Sequence, residues 1–281
     1  MKKKQIYLIA AILSGLILSV LFYFTLRGTI SIPAELVLGP FSLHFYSFAI
    51  LGGIVLAAYL FNRYKKKHRE LDKLNTDEAL LFAVIPGVIL ARAWYVIIFW
   101  NIYQAEPLRM FQIWEGGLSI YGALLGGILG AYIYTRMRKV NFIKTLELAF
   151  IFVPLAQIMG RFGNFINQEL YGPVTDLPWG MYVRATGQFH HPSFFYEQIG
   201  NLLVFAILFR YYRKHGIKGN GIMPALYLVC YGVVRFVIDI YRNDERVFAP
   251  FTIAQLVSII MVAAGLVFLT VKRLKKSQTQ K

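Results

Sequence analysis

The stretch IMPALYLVCYGVVRFVIDIY, Ile222–Tyr241, decides the fold. It is apolar over the ~20 residues that an α-helix needs to cross the hydrocarbon core of a bilayer. It also carries Tyr231, Arg235 and Asp239 at i, i+4 and i+8, which places all three on one face of a helix. Such a stripe in hydrocarbon faces a bundle interior or a wet cavity. Ionisable groups there mark function unless they form a purely structural pair, here Arg235 with Asp239.

Apolar runs of the same kind recur on both sides, at approximately Gln5–Leu26, Leu43–Phe61, Glu78–Trp100, Leu118–Tyr134, Leu146–Met159, Phe194–Phe209 and Phe251–Val271. With Ile222–Tyr241 they predict about eight transmembrane helices in an all-α, polytopic membrane helix bundle. Composition agrees: 57% of the 281 residues are hydrophobic and 16% charged, where a soluble domain carries about one quarter charged residues. Lys2, Lys3 and Lys4 before Gln5–Leu26 resemble the start of a signal peptide. That apolar run is longer than a signal core and no small-x-small cleavage site clearly follows, so it reads as a retained helix. The fourth and fifth runs are short and the fourth is glycine-rich, and glycine lets membrane helices approach closely.

A net charge of +16 raises the possibility of a nucleic-acid partner, and its distribution argues against one. With the N-terminus inside and helices alternating, 22 of the 30 cations, including all fifteen lysines, fall on the inner side. That is the positive-inside pattern, and it places both termini in the cytoplasm. The eight outer cations are all arginine: Arg27, Arg92, Arg109, Arg161, Arg184, Arg235, Arg242 and Arg246. Arginine presents a rigid fork of donors that matches phosphate or carboxylate and keeps its charge when desolvated. Cys230, alone in its kind, excludes an intrachain disulfide and a cysteine-built metal site. The ligand pairs His-x-x-x-His and Glu-x-x-His are missing, as are phosphate-loop and dinucleotide glycine fingerprints, so neither a metal nor a nucleotide cofactor is expected.

Polar residues gather at the outer ends of the runs. Gly160-Arg-Phe-Gly-Asn-Phe-Ile-Asn-Gln-Glu-Leu-Tyr-Gly172 packs Arg161, Asn164, Asn167 and Glu169 after a membrane run. His191-Pro-Ser-Phe-Phe-Tyr-Glu197 is a second cluster and Tyr231–Arg242 a third. His44 and Tyr46 open the second run, Arg92 and Tyr95 sit in the outer half of the third, and Tyr121 follows Glu115-Gly-Gly-Leu-Ser119 at the start of the fourth. Taken singly, a Tyr or His near an interface is more often an anchor than a catalyst; convergence with two arginines changes that balance. The outer stretch of about 160–193, with Pro173, Pro178, Pro192 and several aromatics, reads as a small folded extracytoplasmic cap.

Gly160–Gly172 resembles the signature segment of the prolipoprotein diacylglyceryl transferase family. The likeness extends to Leu43-His-Phe-Tyr46, Glu115–Ser119, His191-Pro-Ser193, Tyr196-Glu197 and Tyr231-Gly-x-x-Arg235, in the family's order, from about Ser31 to the C-terminus. The resemblance implies a seven-helix core over 31–281, with residues 1–30 as an added N-terminal transmembrane helix. It implies transfer of the diacylglyceryl group of phosphatidylglycerol to the lipobox cysteine thiol of a prolipoprotein signal peptide, forming a thioether and releasing glycerol 1-phosphate. By position it makes Arg161 a binder of the lipid headgroup with Asn164 and Glu169 beside it, makes Arg235 a second essential arginine, and puts Tyr46 on a functional position; Asn167 is a further substrate-binding candidate. His44, Tyr231 and Asp239 join the substrate-binding set. Two departures stand out: Tyr121 occupies a position where many members have a histidine proposed as base, and Asp239 one where many have glutamate. Tyr121, Tyr46, His44, His191, Glu169 and Asp239 are all candidate bases. The rival class is a membrane transporter or channel for an anionic solute, with the arginines lining its path.

Overall fold

The computed structural model describes residues 20–30, 32–38, 41–242, 246–248 and 250–279. It is mostly helical. Seven long helices stand among the described residues: α1 Phe45–Lys65, α2 Thr76–Ile98, α3 Ile120–Met137, α4 Phe142–Asn167, α5 Ser193–His215, α6 Ile222–Ile240 and α7 Ile253–Thr279. Among the described residues five spans are long and apolar enough to cross a membrane: α1, α2, α4, α6 and Ile253–Lys275 of α7. Glycines and tyrosines dilute α3, and α5 carries Glu197, Gln198 and Asn201 in its first half and ends with Arg213, Lys214 and His215. The chain is therefore a multi-pass membrane protein built from helices.

Most helices start and stop within a few residues of the apolar runs. Three helices continue well past their apolar runs: α5 to His215 and α7 to Thr279, each along a basic stretch, and α4, whose run ends at Met159, to Asn167. The last turns of α4 are polar, and a hydropathy reading stops there. The helix persists because those polar side chains find partners inside the protein. Of the run Gln5–Leu26, residues up to Ser19 lie outside the described residues; 20–26 are helical. Among the described residues three antiparallel strand pairs stand next to helix ends: β1 Glu35–Leu38 with β2 Phe41–His44, β3 Met181–Val183 with β4 Gln188–His190, and β5 Arg246–Phe248 with β6 Phe251–Thr252.

The residues form two compact units. The first comprises Met1–Ile54, Val153–Leu208 and Ala225–Lys281. Its apolar core gathers Leu26, Phe165, Met181, Val183 and Phe194. Phe22 packs on Phe165 and Phe195 with ring centroids 5.2 and 5.8 Å away, so the described end of the first apolar run is part of this core.

The second unit comprises Val55–Phe152 and Phe209–Pro224. Its spine is the α2–α3 pair. Gly122, Gly126 and Gly130 recur every four residues on α3, and a Cβ at each would stand 2.2, 2.2 and 1.7 Å from the carbonyl oxygens of Leu90, Pro86 and Phe82. Small residues at this spacing let two membrane helices touch backbone to backbone. Gly126→Ala is expected to lower the melting temperature of the purified protein, because overpacking costs about 1–3 kcal/mol and the obstacle is backbone. Gly127→Ala is the control. Its Cβ meets only a carbonyl at 3.7 Å, so the higher helix propensity of alanine leaves stability unchanged or raised. A melting temperature equally insensitive to both changes would refute this packing. In the same unit Glu147, 1% exposed, accepts the backbone N–H groups of Lys218, Gly219, Asn220 and Gly221 at 2.7–3.0 Å. One carboxylate thus fastens the turn that leads into α6, satisfying its own charge with four amide dipoles.

Candidate active site

Three helices of the first unit meet at a charged cluster. α4 supplies Arg161 and Asn164 from its last turns, α5 supplies Glu197 from its second turn, and α6 supplies Tyr231, Arg235 and Asp239. The Glu197 carboxylate joins them. Its Oε1 accepts from Arg161 Nη2 at 2.7 Å and from the Tyr231 hydroxyl at 3.2 Å, and its Oε2 accepts from Arg235 Nη1 at 3.4 Å. Arg235 Nη2 then reaches Asp239 Oδ1 at 3.2 Å, the i, i+4 pair expected from residue spacing. The Glu197 side chain is 2% exposed, whereas those of Arg161 and Arg235 are 22% and 16% exposed. The carboxylate is buried between two guanidinium groups whose side chains stay partly exposed. Two like charges are held together because one buried anion sits between them, and they present a cationic surface suited to an oxyanion.

Second contacts hold the arginines in place. Arg161 Nη1 donates to Asn164 Oδ1 at 2.9 Å, and Asn164 Nδ2 donates to Glu169 Oε1 at 2.8 Å. Asn164 is 2% exposed, so its amide has one orientation compatible with both partners. Asp239 Oδ2 accepts from the Thr252 hydroxyl. Thr252 is the N-cap of α7: Gln255 N–H donates to its Oγ1 at 3.1 Å while the Thr252 N–H donates to Gln255 Oε1 at 3.2 Å, a reciprocal capping box. The start of α7 therefore anchors the acid that aligns Arg235.

Glycines of the Gly160–Gly172 segment have separate reasons. A Cβ on Gly163 would stand 2.2 Å from Cδ2 of Tyr46, so this glycine seats the Tyr46 ring against the turn that carries Arg161. A Cβ on Gly172 would stand 2.2 Å from the carbonyl oxygen of Tyr241, just past α6. Between them the chain leaves the helix through Gln168 and Leu170, both at positive φ. Gln168 ties this turn to the β3–β4 hairpin by donating to Tyr182 O at 3.1 Å and accepting from Arg184 N–H at 3.1 Å.

Of the residues singled out in the sequence, Arg161, Asn164, Glu169, Tyr231, Arg235 and Asp239 are linked by these bonds, and Tyr46 packs beside them. Asn167 closes α4 with a buried, unpaired Oδ1. His44, on β2, faces Glu35 at 3.5 Å and is more than half exposed. His191 shares a hydrogen bond with the Tyr196 hydroxyl at 3.0 Å. Tyr121 lies in the second unit, in the first turn of α3, and is 45% exposed. Arg92, in the same unit, is one of the eight arginines that the charge pattern assigns to the outer side. It is buried, and its donors reach the carbonyls of Arg109, Met110, Gln112, Gly116 and Gly117 at 2.6–3.2 Å. It organises that loop. The residue that sequence reasoning left out of the site is Glu197, although it stood at the end of the His191–Glu197 cluster; a carboxylate one turn into an apolar helix was the signal. No cluster of metal-ligating side chains stands among the described residues.

Two arginines around one buried carboxylate, on helices apolar enough to cross a membrane, define the class: an integral membrane protein with a charged cluster whose chemistry matches an anionic, oxygen-bearing group. The sequence comparisons narrow it. The prolipoprotein diacylglyceryl transferase family matches residues 32–271, and the chain belongs to that family. A phosphatidylglycerol--prolipoprotein diacylglyceryl transferase of Streptococcus uberis is 35% identical over 255 residues, which is 87% of this chain and 96% of that protein. Proteins of the same name from Fervidobacterium nodosum and Symbiobacterium thermophilum are 37% and 38% identical, over 81% and 84% of this chain and 80% and 91% of their own.

Proposed function

We propose that this chain transfers the diacylglyceryl group of phosphatidylglycerol to the lipobox cysteine of prolipoprotein signal peptides, the first step of lipoprotein maturation in the bacterial cytoplasmic membrane. The observation that carries the reading is the Glu197-bridged pair Arg161–Arg235, built on the segments that resemble the family's motifs. The sulfur of the cysteine attacks the glyceryl carbon that bears phosphate. An S–C bond forms, the C–O bond breaks, and glycerol 1-phosphate leaves with the electron pair. The growing phosphate charge is what the two arginines are suited to stabilise, in a partly dehydrated site where oriented charge counts most. The same positive field lowers the pKa of an incoming thiol from about 8.5. Tyr46 and Glu169, held beside the Arg161 turn, are well placed among the candidate bases to take its proton. Tyr121, His44, Asn167, Tyr231 and Asp239 complete the proposed substrate-binding and catalytic set.

The wider topology belongs to the same proposal. Eight spans, both termini inside and the arginine cluster toward the outer side follow from the charge pattern, with residues 1–30 as an added helix and about 160–193 as an outer cap. Both substrates are membrane-embedded, so a site near helix ends is accessible to each from the bilayer. Family membership does not favour anion transport.

The test is direct. Purified protein is mixed with phosphatidylglycerol and a lipobox peptide, and the peptide mass is read. A diacylglyceryl adduct on the cysteine is the expected product. A folded protein that leaves the peptide unchanged would overturn the reading, and solute flux in vesicles would be measured next.

A further inference from the structure

The charged cluster has a neutral polar layer beneath it. α4 and α6 run toward the end that carries Arg161 and Arg235, and α5 runs away from it. Stepping one turn back along each helix leads from Arg161 to Gln157, from Tyr231 to Tyr227, and from Glu197 to Asn201. Four residues are about 6 Å of helix. Gln157 Nε2 donates to the Tyr227 hydroxyl at 2.8 Å, and the Tyr227 ring stacks on Tyr231 with centroids 5.4 Å apart. Asn201 is 0% exposed, yet neither its Oδ1 nor its Nδ2 has a hydrogen-bond partner; Gln157 Oε1 is also buried and unpaired. A fully buried primary amide without partners is costly, and native proteins rarely tolerate one unless water or a ligand completes it.

We propose that Asn201, one turn from Glu197, is a subsite for the ester carbonyls of the diacylglyceryl lipid, with Gln157 in the same layer one turn from Arg161. This rests on the reading that Arg161 and Arg235 hold the lipid phosphate. With phosphate at the arginines and acyl chains pointing toward the bilayer centre, the glyceryl esters hang a few bonds further in, at the depth of this layer. An ester carbonyl accepts hydrogen bonds and donates none. Asn201 supplies a donor whichever way its amide is turned. A neutral amide matches a neutral ester, whereas a charged residue here would compete for the phosphate. The layer thereby distinguishes ester-linked from ether-linked lipids and fixes the depth of the reacting carbon below the arginines.

The experiment compares diester phosphatidylglycerol with its diether analogue of equal chain length. Two readouts are taken on the purified full chain: kcat/KM with a lipobox peptide, and competition between the two lipids for binding, followed by mass spectrometry of the retained lipid. The wild type is expected to favour the diester by roughly 5- to 10-fold, the worth of one good hydrogen bond. Asn201→Leu is expected to bring that ratio near one while still binding the diether lipid. Asn201→Ala, which opens room for water and keeps the helix, is the second variant should leucine not fold. Arg161→Ala is expected to weaken both lipids alike, so it reports on the phosphate site independently. Equal retention of the two lipids by the wild type would overturn the subsite, as would an unchanged ratio in a folded Asn201 variant. The competition readout decides this even if no peptide adduct ever forms, and that second failure would count against the transferase reading instead.

Discussion

Arg161→Lys is expected to slow lipid transfer about 100-fold, and Arg161→Ala by about 1000-fold, the range lost when one preorganised donor is removed from a developing anion. Lysine keeps the charge and loses the fork. Arg161 uses that fork to span Glu197 Oε1 at 2.7 Å and Asn164 Oδ1 at 2.9 Å while its side chain remains 22% exposed. An ammonium cannot hold both partners and face a phosphate in the same geometry. Arg235→Lys is expected to fall in the same range, because Arg235 is likewise divided between Glu197 and Asp239. The measurement is the initial rate of peptide mass shift with saturating phosphatidylglycerol. If both lysine variants turned over at the wild-type rate, electrostatic stabilisation by the pair would be abandoned as the main source of rate.

Glu197→Gln is expected to cost both stability and rate. Removing one member of a buried ionic group leaves the others uncompensated, at about 3–5 kcal/mol. Here Arg235 keeps Asp239, but the two guanidinium groups lose the anion that stood between them. Glutamine retains the size and can still accept from Tyr231, so the loss isolates the charge. The melting temperature should fall, and turnover should fall by about 100-fold as the arginines part. A more telling result is rescue: added phosphatidylglycerol is expected to raise the melting temperature of Glu197→Gln more than that of the wild type, because the lipid phosphate replaces the missing anion between the arginines. A variant stabilised by phosphatidylglycerol no more than the wild type would show that Glu197 is a structural acid without bearing on the anion site.

Local patterns were the legible part. The Arg235–Asp239 pair is four residues apart on one helix, so helix geometry brings it together whatever else the chain does. The α2–α3 contact was foreshadowed by glycines in the fourth apolar run, because close approach needs small side chains on one face. The end of α4 was not legible. Gly160-Arg-Phe-Gly-Asn resembles a turn when read by hydropathy. It stays helical since Arg161 and Asn164 obtain partners from Glu197 and from Glu169.

Residue order was enough to show a chain made for the bilayer, its apolar runs, and the polar segments that carry its chemistry. These follow from hydrophobicity and helical period, which are properties of neighbours along the chain. Contacts between distant segments decided the rest. Glu197 is 36 residues from Arg161 and 38 from Arg235, and nothing in either neighbourhood tells which face of α5 meets which face of α4 or α6. Arg92 resembles those arginines in sequence, yet its donors bind loop carbonyls that packing alone delivers to it. A buried charge must be matched, and only the folded chain selects its partner: a carboxylate for one arginine, five carbonyls for another.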